Sequence, residues 1–148
     1  MGKFHTPLGN LTFITEETTN TSFLQGIFNE MSFSIQVSQP FNLEKIDSNF
    51  IQNKMNNFPQ IRTKTELFLR NILYTQPKKL GFNHYKDKLD KTKKLISFPE
   101  FMFYEKTKDW DIIFRESLLP IAEPYGILIN YHDNDIVGFE DISDSEEL

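Results

Sequence analysis

The sequence predicts an α+β domain in which an antiparallel sheet of about five to seven strands packs against two or three helices. Three observations carry that prediction. In Met31-Ser32-Phe33-Ser34-Ile35-Gln36-Val37-Ser38 the apolar residues hold every odd position and the polar ones every even position, so one face is buried and the other wet. Between residues 43 and 75 the apolar period changes to that of a helix. From Ser97 onward the strand pattern returns. Strands, then helices, then strands point to a mainly antiparallel sheet and away from a doubly wound parallel one.

Each element follows from its residues. A short strand pair is expected around Pro7-Leu8-Gly9-Asn10, with Phe4 leading in and Leu11 to Thr15 leading out. Phe23 to Phe28 is the hairpin partner of Met31 to Ser38, turning near Asn29-Glu30. Leu43, Ile46, Phe50, Ile51 and Phe58 fall at helical spacing behind Asn42 as cap, giving a helix over about 43–56 that Asn56-Asn57 and Pro59 end. Ile61, Thr65, Phe68, Leu69 and Ile72 form the stripe of a second helix, with Thr63 and Glu66 at capping-box spacing and Pro77 as the stop. A third, more polar helix is expected from Asn83 to Leu95. Phe98 to Glu105, Trp110 to Glu116 and Tyr125 to Tyr131 then read as strands, and Asp133-Asn134 reads as a hairpin turn with both residues at positive φ before Asp135 to Ile142. The expected core is Phe33, Ile35, Phe50, Phe68, Trp110, Ile112, Phe114, Ile127 and Ile129. A single domain over 1–141 and an acidic tail over 142–148 complete the organisation.

Composition narrows the chemistry. The 148 residues carry a net charge of −5 and no Cys, which excludes thiol nucleophiles, disulfides, Cys zinc sites and iron–sulfur ligation. The skew to 15 Phe, 15 Ile, 13 Lys and 12 Asn against one Ala and three Arg is the bias of an A+T-rich coding sequence. The net charge conceals a division along the chain. Residues 1–77 are neutral, residues 78–108 hold nine Lys against four acids, and residues 109–148 hold eleven acids against Arg115 alone. No apolar run approaches the ~18 residues of a spanning helix, and no export signal opens the chain, so a cytoplasmic protein with no membrane partner is expected.

Motifs for turnover are weak. No G-x-G-x-x-G, P-loop, H-E-x-x-H or G-x-S-x-G pattern occurs, and the C-terminal acids do not match a calcium loop, so no cofactor or metal is expected. Glu140, Asp141, Asp144, Glu146 and Glu147 could offer oxygens to a hard cation, and His132-Asp133-Asn134-Asp135 is a second cluster of potential ligands, of which a hydrolase or metal-dependent enzyme would use His132, Asp133 and Asp135. Asp and Asn are also what a tight turn requires for its own backbone. The Lys-rich segment 78–94, with Phe82 and Tyr85 interleaved, has the residue types of an anionic-ligand or nucleic-acid binder. A sequence pI near 5.2, the shortage of Arg, and Asp87 and Asp90 within the segment weigh against nucleic acid.

The stretches Trp110-Asp111-Ile112-Ile113-Phe114, Pro124-Tyr125-Gly126-Ile127-Leu128-Ile129 and Asp135-Ile136-Val137-Gly138-Phe139-Glu140-Asp141 resemble the closing strands of small bacterial domains of unknown function, several of them associated with polymorphic-toxin immunity proteins. Pro7-Leu8-Gly9-Asn10-Leu11-Thr12-Phe13 is similar to their opening strand. The closing stretch covers about a third of the chain. The resemblance implies a small cytoplasmic α+β protein that acts by binding another protein. The charge layout implies the same, because a compact acidic protein without nucleophile or cofactor loop is suited to occupying a basic surface. The expectation is therefore a non-enzymatic, immunity-like inhibitor of a toxin. Its binding rim would be formed by Asp133, Asp135, Glu140 and Asp141, with Tyr125 or Tyr131 as the aromatic anchor.

Overall fold

A computed structural model of the protein describes residues 3–16, 21–38, 42–82, 93–105 and 107–143. The strands are β1 (Lys3–Thr6), β2 (Gly9–Glu16), β3 (Thr21–Phe28), β4 (Met31–Val37), β5 (Ile96–Tyr104), β6 (Asp109–Ser117), β7 (Ile127–His132) and β8 (Asp135–Asp141), and the helices α1 (Ser48–Asn56) and α2 (Phe58–Thr75) fall between β4 and β5. The fold is α+β, as expected. The sheet has eight strands, however, not five to seven, and they lie side by side in chain order. Nor is it wholly antiparallel: β4 and β5 run parallel, with Phe33 opposite Phe101 and Ile35 opposite Phe103. The two helices between β4 and β5 supply the long crossover that a parallel pair needs, whereas every other junction is antiparallel.

Alternation builds the core on one sheet face. Phe33, Ile35, Phe101, Phe103, Trp110, Ile112, Phe114, Ile127 and Ile129 are all buried, and both helices lie against them. Phe58 of α2 meets Phe101 at 5.6 Å and Phe114 at 6.3 Å between ring centroids, and Phe50 of α1 meets Phe103 edge-on at 6.4 Å. Phe50 and Phe68, expected inside the core, pack against it while staying partly exposed. Trp110 stacks between Phe103 and Tyr131.

Turn and cap chemistry account for the boundaries. Asn29 and Glu30 both take positive φ, which matches the right-handed strand twist of a two-residue hairpin. At the last hairpin only Asp133 does, in place of the expected pair with Asn134. The helix expected from residue 43 divides in two. Asn42 caps a 3-10 turn over Leu43–Lys45, and Asp47, accepting the Phe50 N–H at 3.0 Å, starts α1 afresh. α2 begins at Phe58 and not near Ile61, because Pro59 sits in its first turn, where a missing N–H costs nothing. The Thr63/Glu66 capping box is therefore not used, and Thr63 donates within the helix to the Pro59 carbonyl at 3.0 Å. The third helix, expected over 83–95, lies outside the described residues except at its end, where Leu95 leads directly into β5.

Glu66 serves instead as a clamp on that entry. Its two carboxylate oxygens accept the Leu95 and Ile96 N–H groups at 3.0 and 3.1 Å, and Arg62 donates to the Ile96 carbonyl at 2.6 Å. Glu66→Ala strips two backbone donors of their acceptor, and the expected loss is about 2 kcal/mol in a urea denaturation series. Unchanged stability would mean that water replaces the carboxylate. Farther along β5 the burial phase slips, with even-numbered Ile96 and odd-numbered Phe101 both in the core. Phe98 stands at the slip with φ +55° and 63% of its surface exposed. Among the described residues no helix is long and apolar enough to cross a membrane.

Candidate protein-binding surface

Since α1 and α2 occupy one face of the sheet, the other face is set by the strand residues of opposite parity. Register groups them into rows that cross the strands. One row runs Thr12, Gln25, Ser34, Met102, Asp111, Asn130 and Gly138, and a second runs Ile27, Ser32, Glu100, Ile113, Leu128 and Glu140. Ile14, Phe23, Gln36 and Tyr104 make a third, with Asp109 opposite His132 beyond them. Ile113 is the one buried member, and the rest are half-buried or exposed.

Charge divides this open face. In all three rows the positions on β2, β3 and β4 carry no ionisable side chain. On β5 to β8 the acids gather. Glu100 is neutralised by Arg115 at 3.0 Å, and Asp109 meets the His132 ring at 2.7 Å, a contact that holds the Asp109 carboxyl below the usual carboxylate range. Asp111 and Glu140 have no cation against them among the described residues. Neutral donors hold them together. The Asn130 amide donates to Asp111 Oδ1 and to Glu140 Oε2, both at 3.0 Å, and the Tyr104 hydroxyl donates to Asp111 Oδ2 at 2.7 Å. Burial, followed by the bond to Asp111 and the neighbouring carboxylates, pushes the Tyr104 phenol well above its ordinary value, so it remains a neutral donor. The result is a pre-ordered pair of carboxylates beside an uncharged strip.

The four acids read from the sequence as a rim and the two tyrosines read as its anchor lie in different surroundings. Glu140 alone joins the carboxylate pair. Tyr131, expected as an exposed anchor, is only 3% exposed: it has the parity of Ile127 and Ile129, stacks on Trp110 at 4.3 Å and bonds Thr65 through its hydroxyl at 2.8 Å. Burial drives its phenol pKa upward. Asp133 lies in the hairpin turn and binds buried Lys54 at 2.8 Å, an interaction that keeps its carboxyl ionised. Asp135 is exposed at the start of β8. Asp141 is opposite Ile127 and so has the parity of the helix-covered face, and its carboxylate accepts the Ser143 N–H at 2.9 Å. Tyr125, half-buried before β7, reaches the open face through its carbonyl, which accepts from Arg115 at 3.1 Å.

Tyr104 and Asn130 are the members that charge counting alone overlooks. Parity holds the signal that finds them, since each is the residue facing away from a buried neighbour on its strand. The enzyme reading has a different layout, in which His132 faces Asp109 while Asp133 faces Lys54. Among the described residues no group of three or more His, Asp or Glu is placed to hold a metal ion. Most of the Lys-rich segment 78–94 and the acidic tail beyond Ser143 lie outside the described residues. No protein-family model, curated protein or solved structure matches this chain.

Proposed function

We propose that the protein binds a basic protein surface on the open face of its sheet, as a non-enzymatic, immunity-like inhibitor that covers the cationic active-site region of a cytoplasmic toxin such as a nuclease. The observation that supports this most is the Asp111/Glu140 pair. Two carboxylates bridged by one amide, with no cation against them, repel each other until a positive group arrives. An incoming Lys or Arg relieves that repulsion, and the field around the pair steers its approach. The neighbouring uncharged strip, with Ile14 and Phe23 half-buried, supplies apolar surface that a partner covers without desolvating a charge.

The test is association kinetics against a cationic toxin domain encoded beside this chain's gene, at low and at physiological salt. Asp111→Asn with Glu140→Gln is expected to lower the low-salt on-rate about tenfold and to flatten its salt dependence. Equal on-rates and equal salt slopes for wild type and variant would overturn the proposal.

A further inference from the structure

On the helix side, a cavity of about 220 Å³ opens between the end of α1, the first turns of α2 and the β7–β8 turn. Two lysines converge on it. Lys54 is 3% exposed, donates to Asp133 Oδ1 at 2.8 Å and to the Asn134 side-chain oxygen, and its ammonium lies 5.0 Å from the Phe50 ring centroid. Lys64, on the outer side of α2, donates to the Asn134 backbone carbonyl at 2.6 Å and has no carboxylate within ion-pair distance among the described residues. With Asp133 offsetting Lys54, one positive charge is left over.

The floor is aromatic. Trp110 and Tyr131 line the cavity, yet their polar atoms are already committed, the indole N–H to the Asp133 carbonyl at 2.9 Å and the phenol to Thr65. What they offer is therefore only the margin of their rings, Trp110 being 1% and Tyr131 3% exposed. The Gln60 amide at the rim adds a hydrogen-bonding group. For scale, an engineered apolar cavity of about 150 Å³ in another protein admits benzene, so this one has room for a ring and a small substituent. A single uncompensated cation calls for a monoanion, and an apolar floor calls for a flat hydrophobic body.

We infer that this cavity is a binding site for a small aromatic monocarboxylate, its carboxylate on Lys64 and its ring packed against Ile61 and the margins of Trp110 and Tyr131. The site is on the opposite side of the sheet from the proposed protein-binding face, and neither reading depends on the other.

Trp110 is the chain's one tryptophan, so its indole N–H resonance reports the cavity directly. The experiment titrates the full chain with benzoate and, separately, with its neutral counterpart benzamide. Benzoate is expected to shift that resonance saturably and to bind about tenfold more tightly than benzamide. Lys64→Met should bring the two ligands level, and Lys64→Arg should keep the preference. Lys64 is exposed, so these variants are expected to fold, and a thermal melt checks that they do. Ile61→Phe, which fills the cavity, should abolish both shifts. The inference is overturned if benzoate produces no saturable shift, if the two ligands bind equally to wild type, or if the benzoate preference survives Lys64→Met.

Discussion

Trp110→Ala is expected to lower the unfolding free energy by about 3–5 kcal/mol, the range for removing a large aromatic side chain from a packed core. The indole is 1% exposed and lies between rings on the two neighbouring strands, at 4.3 Å from Tyr131 of β7 and 5.7 and 6.2 Å from Phe103 and Phe101 of β5 between centroids. None of those neighbours is free to fill the space: Phe101 and Phe103 are held in β5, and Tyr131 is tied to Thr65. The substitution also removes the indole donor from the Asp133 carbonyl, loosening the turn that Lys54 and Lys64 grip. Trp110→Phe keeps one aromatic ring but loses the indole donor and the volume of the five-membered ring, so an intermediate loss of about 2–3 kcal/mol is expected. Far-UV circular dichroism in urea is the suitable measurement, because the fluorescent reporter disappears with the residue. Equal midpoints for Trp110→Ala and wild type would mean that the aromatic stack is not a structural centre.

Gly126→Ala is the second large effect. Gly126 has φ +102°, and an added Cβ would sit 2.3 Å from the Phe114 carbonyl oxygen and 2.9 Å from the Arg115 Cα. Both obstacles are backbone of β6, which is fixed by its pairing with β5 and β7. The left-handed conformation costs about 1–2 kcal/mol for an L-residue, and forcing apart packed backbone costs about 1–3 kcal/mol more, so the expected loss is about 2–5 kcal/mol. Gly138→Ala is the internal control. Its Cβ meets nothing within 4 Å, and the expected change is within about 0.5 kcal/mol of wild type. If both variants melt together, the close approach at Gly126 is not real.

Much of the architecture was legible because the hydrophobic pattern changes period where the chain changes structure. The alternations over Met31–Val37 and Trp110–Phe114 identify their buried faces residue by residue, and that assignment needs no tertiary information. The parallel junction between β4 and β5 was not legible, since alternation is the same for either strand direction. The early start of α2 is not legible for another reason: beside Asn56-Asn57, Pro59 has the look of a stop, yet its position in a first turn makes it a start. Glu66 has the spacing of a cap but finds backbone donors 29 and 30 residues away, a contact no local pattern encodes. The candidate surface was legible in sign and not in membership. A count of acids finds the acidic segment, but whether Asp141 or Glu140 faces outward is a matter of one residue of register, and the same parity places Tyr131 inside.

Because the eight strands lie in chain order, position along the sequence is also distance across the molecule. Seven inter-strand spacings of about 4.8 Å separate β1 from β8 by about 34 Å, and the middle of β3 from the middle of β7 by about 19 Å. The screening length at physiological salt is about 8 Å. The uncharged and acidic halves of the open face adjoin at β4 and β5, but strands as far apart as β3 and β7 are more than two screening lengths apart, so a visiting surface meets a dry landing strip that salt does not alter and a charged margin that salt can switch off.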